Sequence, residues 1–304
     1  MSLFCRHGRL TTNCPICSRE LETELRGKAP PRPQRPGRAP AATGGTRRAR
    51  ARTTGARTGG VVTKRVARAA DDGYRNPLAP GLRATADAER LAAALTAAAA
   101  RLESPGPYPE IAEAPDREEG TWLAFLLALA GPDAPELQAA LRAARPPWSA
   151  ADVSDLPPER ARTAGAYRAW ADRAGSQAAA LSGDASWTPE RRFARVFERL
   201  ALPGFGRARR YDFLTALGAA GLYEMRGGEL FLGGDDDAAT IAAKRLLVSG
   251  DRLLLERRAR ELADACDLPI AALDRALAVW NTPGIAVDLA AEPPAAVRAA
   301  LALR

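Results

Sequence analysis

The hydrophobic pattern divides the chain into a long body and an N-terminal region with few large apolar residues. From about residue 71 onward, stretches rich in Ala, Leu, Arg and Glu dominate, and alternating runs of Val, Ile or Thr are scarce. Because Ala, Leu, Arg and Glu favour helices whereas β-branched residues favour strands, the sequence predicts a mainly α-helical domain over residues 71–304. The predicted helices cover residues 84–102, 118–130, 132–144, 158–181, 191–200, 207–217, 238–249, 252–266 and 270–280.

Two connections interrupt this helical pattern. Residues 202–206 read Leu-Pro-Gly-Phe-Gly and join the helices predicted over 191–200 and 207–217; we call them the glycine turn. Residues 222–232, with Gly-Gly near their centre, predict a short β-hairpin. A further Gly-Gly pair and three consecutive aspartates, 235–237, then lead into the next helix.

Three of the four cysteines lie within thirteen residues of each other, around the only histidine. Cys5, His7, Cys14 and Cys17 form the pattern Cys-x-His-x6-Cys-x2-Cys, and three thiolates with one imidazole suit tetrahedral zinc. We therefore predict a zinc-binding module over residues 1–18. Four protein ligands leave no position for a reacting water, so the zinc would be structural. The spacing does not decide whether the module binds DNA, binds a protein or only folds the terminus.

The net charge of +8 is unevenly distributed along the chain. Residues 19–70 contain fourteen Lys or Arg against three Glu and almost no large apolar side chains. Such a segment buries too little apolar surface to offset the entropy of folding, so we predict a disordered basic linker over these residues. A cationic linker attracts polyanions such as DNA through counterion release, although a solvated linker without a specific partner explains the composition equally well.

No stretch of eighteen or more apolar residues occurs, and the N-terminus carries cysteines where a signal peptide has an apolar core. We therefore expect a cytoplasmic protein that does not enter a membrane.

The glycine turn and the helix after it have the composition of an anion-binding site. Gly204 and Gly206 allow the backbone to approach a phosphate, while the helix start presents unsatisfied N–H groups and the positive end of its dipole. Arg207, Arg209 and Arg210 add positive charge for the same or neighbouring phosphates. A tight connection between helices, with solvent-exposed arginines, explains the same residues.

The helix, the glycine turn and the second helix together resemble the helix-hairpin-helix element of the DNA glycosylase superfamily. The resemblance implies that the turn, including Phe205, contacts DNA and that a catalytic aspartate lies downstream at a helix start. Asp237 is the best match and Asp236 the second, although the predicted hairpin 222–232 makes their separation from Gly206 longer than is common there. Acidic residues at a helix start are otherwise simply caps that favour the helix dipole.

Superfamily members that also cleave the DNA strand use a lysine just before the hairpin, and residues 190–203 contain none. The resemblance therefore implies a monofunctional glycosylase without lyase activity. Lys244 is the only lysine of the body and follows Asp237 by two turns on the same helix face, so it joins Asp237 and Asp236 as a catalytic candidate. In this mechanism a carboxylate stabilises positive charge at the sugar C1′ or positions water, and no catalytic cofactor is needed.

Residues 115–282 also resemble a more particular group, clade 3 of the alpha-glutamyl/putrescinyl thymine pyrophosphorylase-like family. The matching segments are residues 119–125, 202–214, 243–251 and 273–277. This group looks glycosylase-derived and is associated with hypermodified bases in phage DNA, which it makes or excises. The resemblance adds candidates for DNA or base contacts: Arg210, Tyr211, Asp212 and Lys244.

We therefore predict a monomeric, monofunctional DNA glycosylase that removes a modified base, such as a phage hypermodified pyrimidine, and leaves an abasic site. Its partner would be phage DNA and its role anti-phage defence. A glycosylase must take its target base out of the stack before it can act. Two alternatives stay open: a transferase acting at the pyrophosphate of a modified thymine, and a non-catalytic protein that only binds DNA.

Overall fold

A computed structural model describes residues 69–145, 147–150, 153, 156–234, 236–282 and 284–303. The predicted zinc module and almost all of the predicted linker lie outside these residues, and so does Asp235. Those predictions therefore stay predictions.

The described part of the chain is mainly α-helical, as predicted. Its helices are α1 (Thr85–Leu102), α2 (Arg117–Ala130), α3 (Pro135–Ala144), α4 (Pro158–Arg173), α5 (Gln177–Ser182), α6 (Pro189–Arg199), α7 (Arg207–Ala219), α8 (Ala238–Leu247), α9 (Arg252–Ala265), α10 (Ile270–Asn281) and α11 (Ala295–Ala300). Two 3-10 turns, Pro109–Ile111 and Trp148–Ala150, lie between the early helices.

The helix predictions are confirmed except at one break and one omission. The helix predicted over 158–181 is divided into α4 and α5, because Gly175 has a φ of +90° and Ser176 caps α5 through a bond from the Ala179 N–H. The short helix α11 was not predicted.

The β-hairpin predicted over residues 222–232 is wrong, since the described residues contain no strand. Its backbone donors bond to helical elements instead of a partner strand. The N–H groups of Leu230 and Leu232 donate to the carboxylate of Glu256 in α9, at 2.8 and 2.7 Å. The N–H of Arg226 donates to the carbonyl of Pro189 at the start of α6. We call residues 222–234 the connecting loop.

Two hydrophobic clusters hold the helices together. The first includes Trp122, Phe125 and Tyr167, and the rings of Phe125 and Tyr167 stack at 3.9 Å between centroids. The second cluster is formed mainly by α1, α8, α9 and α10. The connecting loop contributes Tyr223 and Met225 to the first cluster and Leu230 and Leu232 to the second. Its buried side chains thus tie the start of α8 to the helices around α7.

Among the described helices, none has both the length and the apolar character that a membrane crossing requires.

Candidate nucleic-acid interface

The glycine turn is held in a conformation that requires glycine at position 204. The turn closes with a 3.1 Å bond from the Phe205 N–H to the Leu202 carbonyl. Gly204 has a φ of +74°, and a Cβ added there would lie 2.5 Å from Thr163 Oγ1. That hydroxyl donates to the Pro203 carbonyl at 2.8 Å, so a side chain of α4 holds the turn in place. Both the left-handed backbone and the close approach exclude a side chain.

Gly206 has a different environment. It is the N-cap of α7, with a φ of −65° and no side chain to cap the helix, and a Cβ added there would meet no atom within 4 Å. The Arg210 N–H donates to the Gly206 carbonyl at 3.1 Å. Within the described residues, the N–H groups of Arg207, Ala208 and Arg209 have no hydrogen-bond acceptor. The helix start therefore offers open backbone donors.

The glycine turn faces the acidic start of α8 across an open groove with a volume of about 930 Å³. We call it the α7–α8 groove. It is lined by the turn and the first residues of α7, by the end of the connecting loop, by Asp236 and Asp237, and by Arg252 of α9. Gly206 and Asp237 are far apart in the sequence, but the loop returns the chain to the same groove.

Of the two described aspartates, Asp237 has the more buried and more firmly oriented side chain. Its side chain is only 8% exposed, and Oδ2 accepts bonds from the N–H and the hydroxyl of Thr240, at 2.8 and 2.7 Å. The same hydroxyl accepts from the Gly233 N–H at 3.1 Å, which links the cap to the connecting loop. No described residue donates to Oδ1 of Asp237. Asp236 is exposed at the rim of the groove.

The structure places Arg207 in the interior rather than on the phosphate-facing surface that the sequence predicted. Its side chain is 6% exposed, and its Nε lies 2.9 Å from Asp237 Oδ2. Nη2 donates to Asp274 at 2.7 Å and Nη1 to the Leu230 carbonyl at 2.6 Å. Burial by itself lowers the pKa of Arg207, but the Asp274 and Asp237 carboxylates raise the pKa above its ordinary value. Its guanidinium joins three elements and is not free for a phosphate.

Asp274 of α10 reaches Arg207 from the side opposite the groove. It lines a smaller pocket of about 70 Å³, together with Asp212, Thr215 and Arg275. Burial raises the pKa of Asp274 to about 6 and outweighs the opposite effect of Arg207. The sequence pointed to the segment around Asp274 only through a resemblance and gave it no role.

Arg209 and Arg210 line the groove and are half-buried. Arg209 donates to the Gly204 carbonyl at 2.9 Å, and Arg210 donates to the Phe197 carbonyl at 3.0 Å with its guanidinium 4.3 Å above the Phe197 ring. The pKa of each is lowered, chiefly by burial and then by a neighbouring arginine. Each guanidinium has donors beyond the single bond to the turn or α6, so both can meet an anion.

Two residues of the predicted DNA-contact set are core residues in the structure. Phe205 and Tyr211 are each 2% exposed. Phe205 packs 5.1 Å from Phe125, and the Tyr211 hydroxyl donates to the Glu229 carbonyl at 3.0 Å. Their side chains hold α7 and the connecting loop in place. The periodicity of α7 is the signal that separates Tyr211 from Arg209 and Arg210, whereas Phe205 precedes the helix and has no such signal.

Two further candidates lie away from the α7–α8 groove. Lys244 is half-buried in the last turn of α8 and does not belong to the groove lining formed by the described residues. Asp212 accepts a 2.7 Å bond from the Tyr108 hydroxyl and pairs with Arg101 at 3.3 Å. The charges that line the groove are separated, with positive charge at the start of α7 and negative charge at the start of α8.

Arg252 is a groove residue that sequence reasoning missed. It is the first residue of α9, directly after the capping Asp251, and its side chain is exposed. A cation at a helix N-terminus opposes the helix dipole. Arg207 has the same position in α7 and pairs with carboxylates in the interior, so this position alone did not indicate a groove residue.

The predicted zinc ligands lie outside the described residues, and within those residues no cluster of three or more His, Cys, Asp or Glu side chains is arranged to bind a metal. The remaining cysteine, Cys266, is buried in the second hydrophobic cluster.

Comparison with known proteins found one family model that matches part of this chain. Neither curated proteins nor solved structures gave a significant match. Residues 159–286, less than half of the chain, match the family model described as alpha-glutamyl/putrescinyl thymine pyrophosphorylase clade 3. The matched segment contains the glycine turn, α7, the connecting loop, α8 and Asp274, and the match supports the relationship of this protein to that family.

Proposed function

We propose that this protein is a monofunctional DNA glycosylase that removes a modified base from phage DNA and leaves an abasic site. One observation carries the proposal: the α7–α8 groove joins an open, positively charged helix start to a buried and oriented carboxylate, Asp237. A backbone phosphate and the sugar of one nucleotide lie close together, so one groove with both features suits a nucleotide.

The positive side of the groove would bind the DNA backbone. The open N–H groups at the start of α7 suit a phosphate oxygen, and Gly206 leaves room for it to approach. Arg209, Arg210 and Arg252 supply charge along the same wall. Such contacts fix the position of the strand without reading its sequence.

The negative side would act on the sugar. Arg207 and Thr240 fix Asp237 through Oδ2, so Oδ1 is the oxygen available to a substrate. As the C1′–N bond breaks, positive charge develops on the sugar, and a carboxylate beside it stabilises that charge. A water oxygen then bonds to C1′, and the electron pair of the broken bond leaves with the base. The proton lost by the water balances the one that the departing base gains.

The size of the groove favours an enlarged base. Its volume lies near the upper end of the range for small-molecule sites, roughly 300–1,000 Å³. The description of the matching family model names thymine with glutamyl and putrescinyl groups. We infer that a hypermodified pyrimidine, turned out of the stack, is the substrate class.

The direct test uses phage DNAs that carry different base modifications. After incubation, heat and alkali should break the strand only at modified positions, and Asp237→Asn should lose this activity by at least about 100-fold. Asp236→Asn is the matched control, because its exposed carboxylate lacks the bonds of Asp237; it should retain most activity. Full activity in Asp237→Asn would exclude our assignment.

A second candidate function has one observation in its favour. The description of the family model includes the word pyrophosphorylase, which suits transfer at the pyrophosphate of a modified thymine. Mass spectrometry of the same reactions distinguishes the two. Intact strands with a changed base mass would establish the transferase, whereas a released base and an abasic site would establish the glycosylase. Gel retardation without either product would indicate a protein that only binds DNA.

We also propose that Cys5, His7, Cys14 and Cys17 bind one structural zinc ion. Protein purified without chelator should contain about one zinc per chain, and Cys14→Ser should lose it, because the tetrahedral site then lacks a thiolate. The expected count comes from elemental analysis. Zinc-free wild-type protein would refute the assignment without affecting the groove.

A further inference from the structure

Arg207 lies between two carboxylates that reach it from opposite sides of α7. It lines both the α7–α8 groove and the smaller pocket behind α7, whereas Asp237 lines only the groove and Asp274 only the smaller pocket. Asp274 therefore contacts the groove through Arg207 and not directly. The three side chains are 6–11% exposed, so they form a buried ionic triad.

We propose that Asp274 is a positioning residue that acts through Arg207 on the orientation and effective charge of Asp237. The inference rests on the proposed function for its effect on turnover, but the coupling between the three side chains can be measured without activity.

Hydrogen bonds fix the guanidinium at two points, since Nη2 donates to Asp274 and Nη1 to the Leu230 carbonyl. Nε lies 2.9 Å from Asp237 Oδ2 and forms an ion pair with it, without the geometry of a hydrogen bond. A planar guanidinium held at two of these positions can present the third in only one direction. Asp274 and Leu230 thereby set the direction from which Arg207 meets Asp237.

The charge balance gives Asp274 a second effect. With both carboxylates ionised, the triad carries a net charge of −1, whereas Asp237 and Arg207 alone would be neutral. Charges interact strongly across a buried site, where little water screens them. A neutral pair stabilises positive charge at C1′ less than a pair whose arginine is also balanced by Asp274. We therefore expect the negative charge of Asp274 to be needed for full turnover.

The protonation of Asp274 makes the inference testable by pH. Burial raises the pKa of this carboxyl to about 6 against the opposing influence of Arg207. The other groups facing it are Asp237 from the start of α8 and Asp212 and Tyr211 from α7. Asp274 therefore gains its charge near pH 6, and turnover should rise through that pH.

The kinetic test follows kcat and KM for modified DNA from pH 5 to 8. Asp274→Asn should lower kcat about tenfold at pH 7.5 with little change in KM, and should abolish the rise near pH 6. Asp274→Glu, which keeps the charge, should restore the rise at least in part. A residue that only stabilises the fold would change the amount of active enzyme but leave the shape of the pH profile unaltered.

Asp133→Asn is the matched control. Asp133 forms an ion pair with Arg275, the neighbour of Asp274 on α10, but it does not contact Arg207. Its pH profile should equal that of the wild type. Loss of the pH 6 rise in this variant, or its survival in Asp274→Asn, would overturn the proposal.

A second measurement separates this proposal from the proposed function. In protein labelled with ¹³C at aspartate carboxyl carbons, the Asp237 resonance should show an inflection near pH 6 that disappears in Asp274→Asn. If the wild type excises no base but shows this inflection, the coupling stands and the glycosylase assignment fails. If excision occurs but the inflection is absent from the folded wild type, the coupling is wrong.

Discussion

At the scale of single residues, Gly204 and Gly206 meet different structural requirements in the glycine turn. Gly204 combines a φ of +74° with a neighbouring hydroxyl where a Cβ would lie. Gly206 has an ordinary φ and open space around it, on the lining of the α7–α8 groove. One glycine therefore serves the fold, and the other leaves room for a ligand.

This difference predicts that alanine at position 204 mainly lowers stability, whereas alanine at position 206 mainly lowers DNA affinity. Gly204→Ala should lower the free energy of unfolding by about 1–3 kcal/mol, because of backbone strain and the clash with Thr163. Gly206→Ala should lower it by less than about 1 kcal/mol but weaken DNA binding about tenfold, since the methyl group would occupy the approach to the helix start. Urea unfolding and fluorescence anisotropy measure the two quantities. Equal DNA affinity of Gly206→Ala and wild type would contradict the phosphate site.

Asp274 gives a prediction for stability as a function of pH. Its folded pKa of about 6 lies above the ordinary value of 3.8, so the stability linked to its protonation is fully present below about pH 4 and is lost as pH rises through 6. The free energy of unfolding of the wild type relative to Asp274→Asn should therefore fall by about 2 kcal/mol from pH 4 to pH 7.

The comparison with Asp71→Asn tests the sign. The hydrogen bond from Arg75 is the largest cause that lowers the pKa of Asp71, so this carboxylate stabilises the protein above its ordinary pKa and loses that effect in acid. Relative to Asp71→Asn, wild-type stability should rise with pH. The same direction in both comparisons would contradict the raised pKa of Asp274.

At the scale of elements, the connecting loop positions the acidic start of α8 without being a strand. Its N–H groups at Leu230 and Leu232 use the two oxygens of the buried Glu256, and Arg207 donates to the Leu230 carbonyl between them. One helix side chain and one arginine thus replace the ladder of a hairpin.

Glu256→Ala should therefore destabilise the protein by about 2–4 kcal/mol, because two buried N–H groups lose their acceptor. The neighbouring Glu261→Ala is the control. It removes an exposed carboxylate that pairs with Arg257 at 3.5 Å on the same helix, and should change stability by less than about 1 kcal/mol. Denaturant unfolding of the two variants gives the comparison. A similar loss in both would show that Glu256 acts only as a helix residue.

The same loop shows where sequence reasoning succeeds and where it stops. The caps at Thr188, Asp237 and Asp251 and the two glycines are local signals, and the helices that they bound were predicted within a few residues. The apolar residues of the loop also look like strand residues locally. Their true hydrogen-bond partner, Glu256, lies some twenty-five residues away on another helix, and no local pattern contains that information. The burial of Arg207 was missed for the same reason, because both of its carboxylate partners are distant in sequence.

At the scale of the whole molecule, the surplus of positive charge and the proposed reacting residues lie in different parts of the sequence. The proposed reaction belongs to the mildly acidic body, whereas the surplus of arginine lies in residues 19–70. A basic segment would raise the affinity for any DNA, and the groove would decide which base reacts. Affinity and turnover should therefore respond to different substitutions.

Replacement of six linker arginines by glutamine tests this separation. If all six meet phosphates, the slope of log affinity against log salt should become less steep by about 5, since each phosphate contact contributes about 0.9. The single-turnover rate at saturating enzyme should stay within about twofold of the wild type, because the proposed reacting carboxylate, Asp237, belongs to the groove lining formed by the described residues. Anisotropy titrations between 50 and 300 mM salt give the slope, and single-turnover reactions at saturating enzyme give the rate. An unchanged slope would mean that the linker is a solvated connection without a DNA role. A rate that fell with the slope would place linker residues at the reacting nucleotide and would require a site larger than the α7–α8 groove.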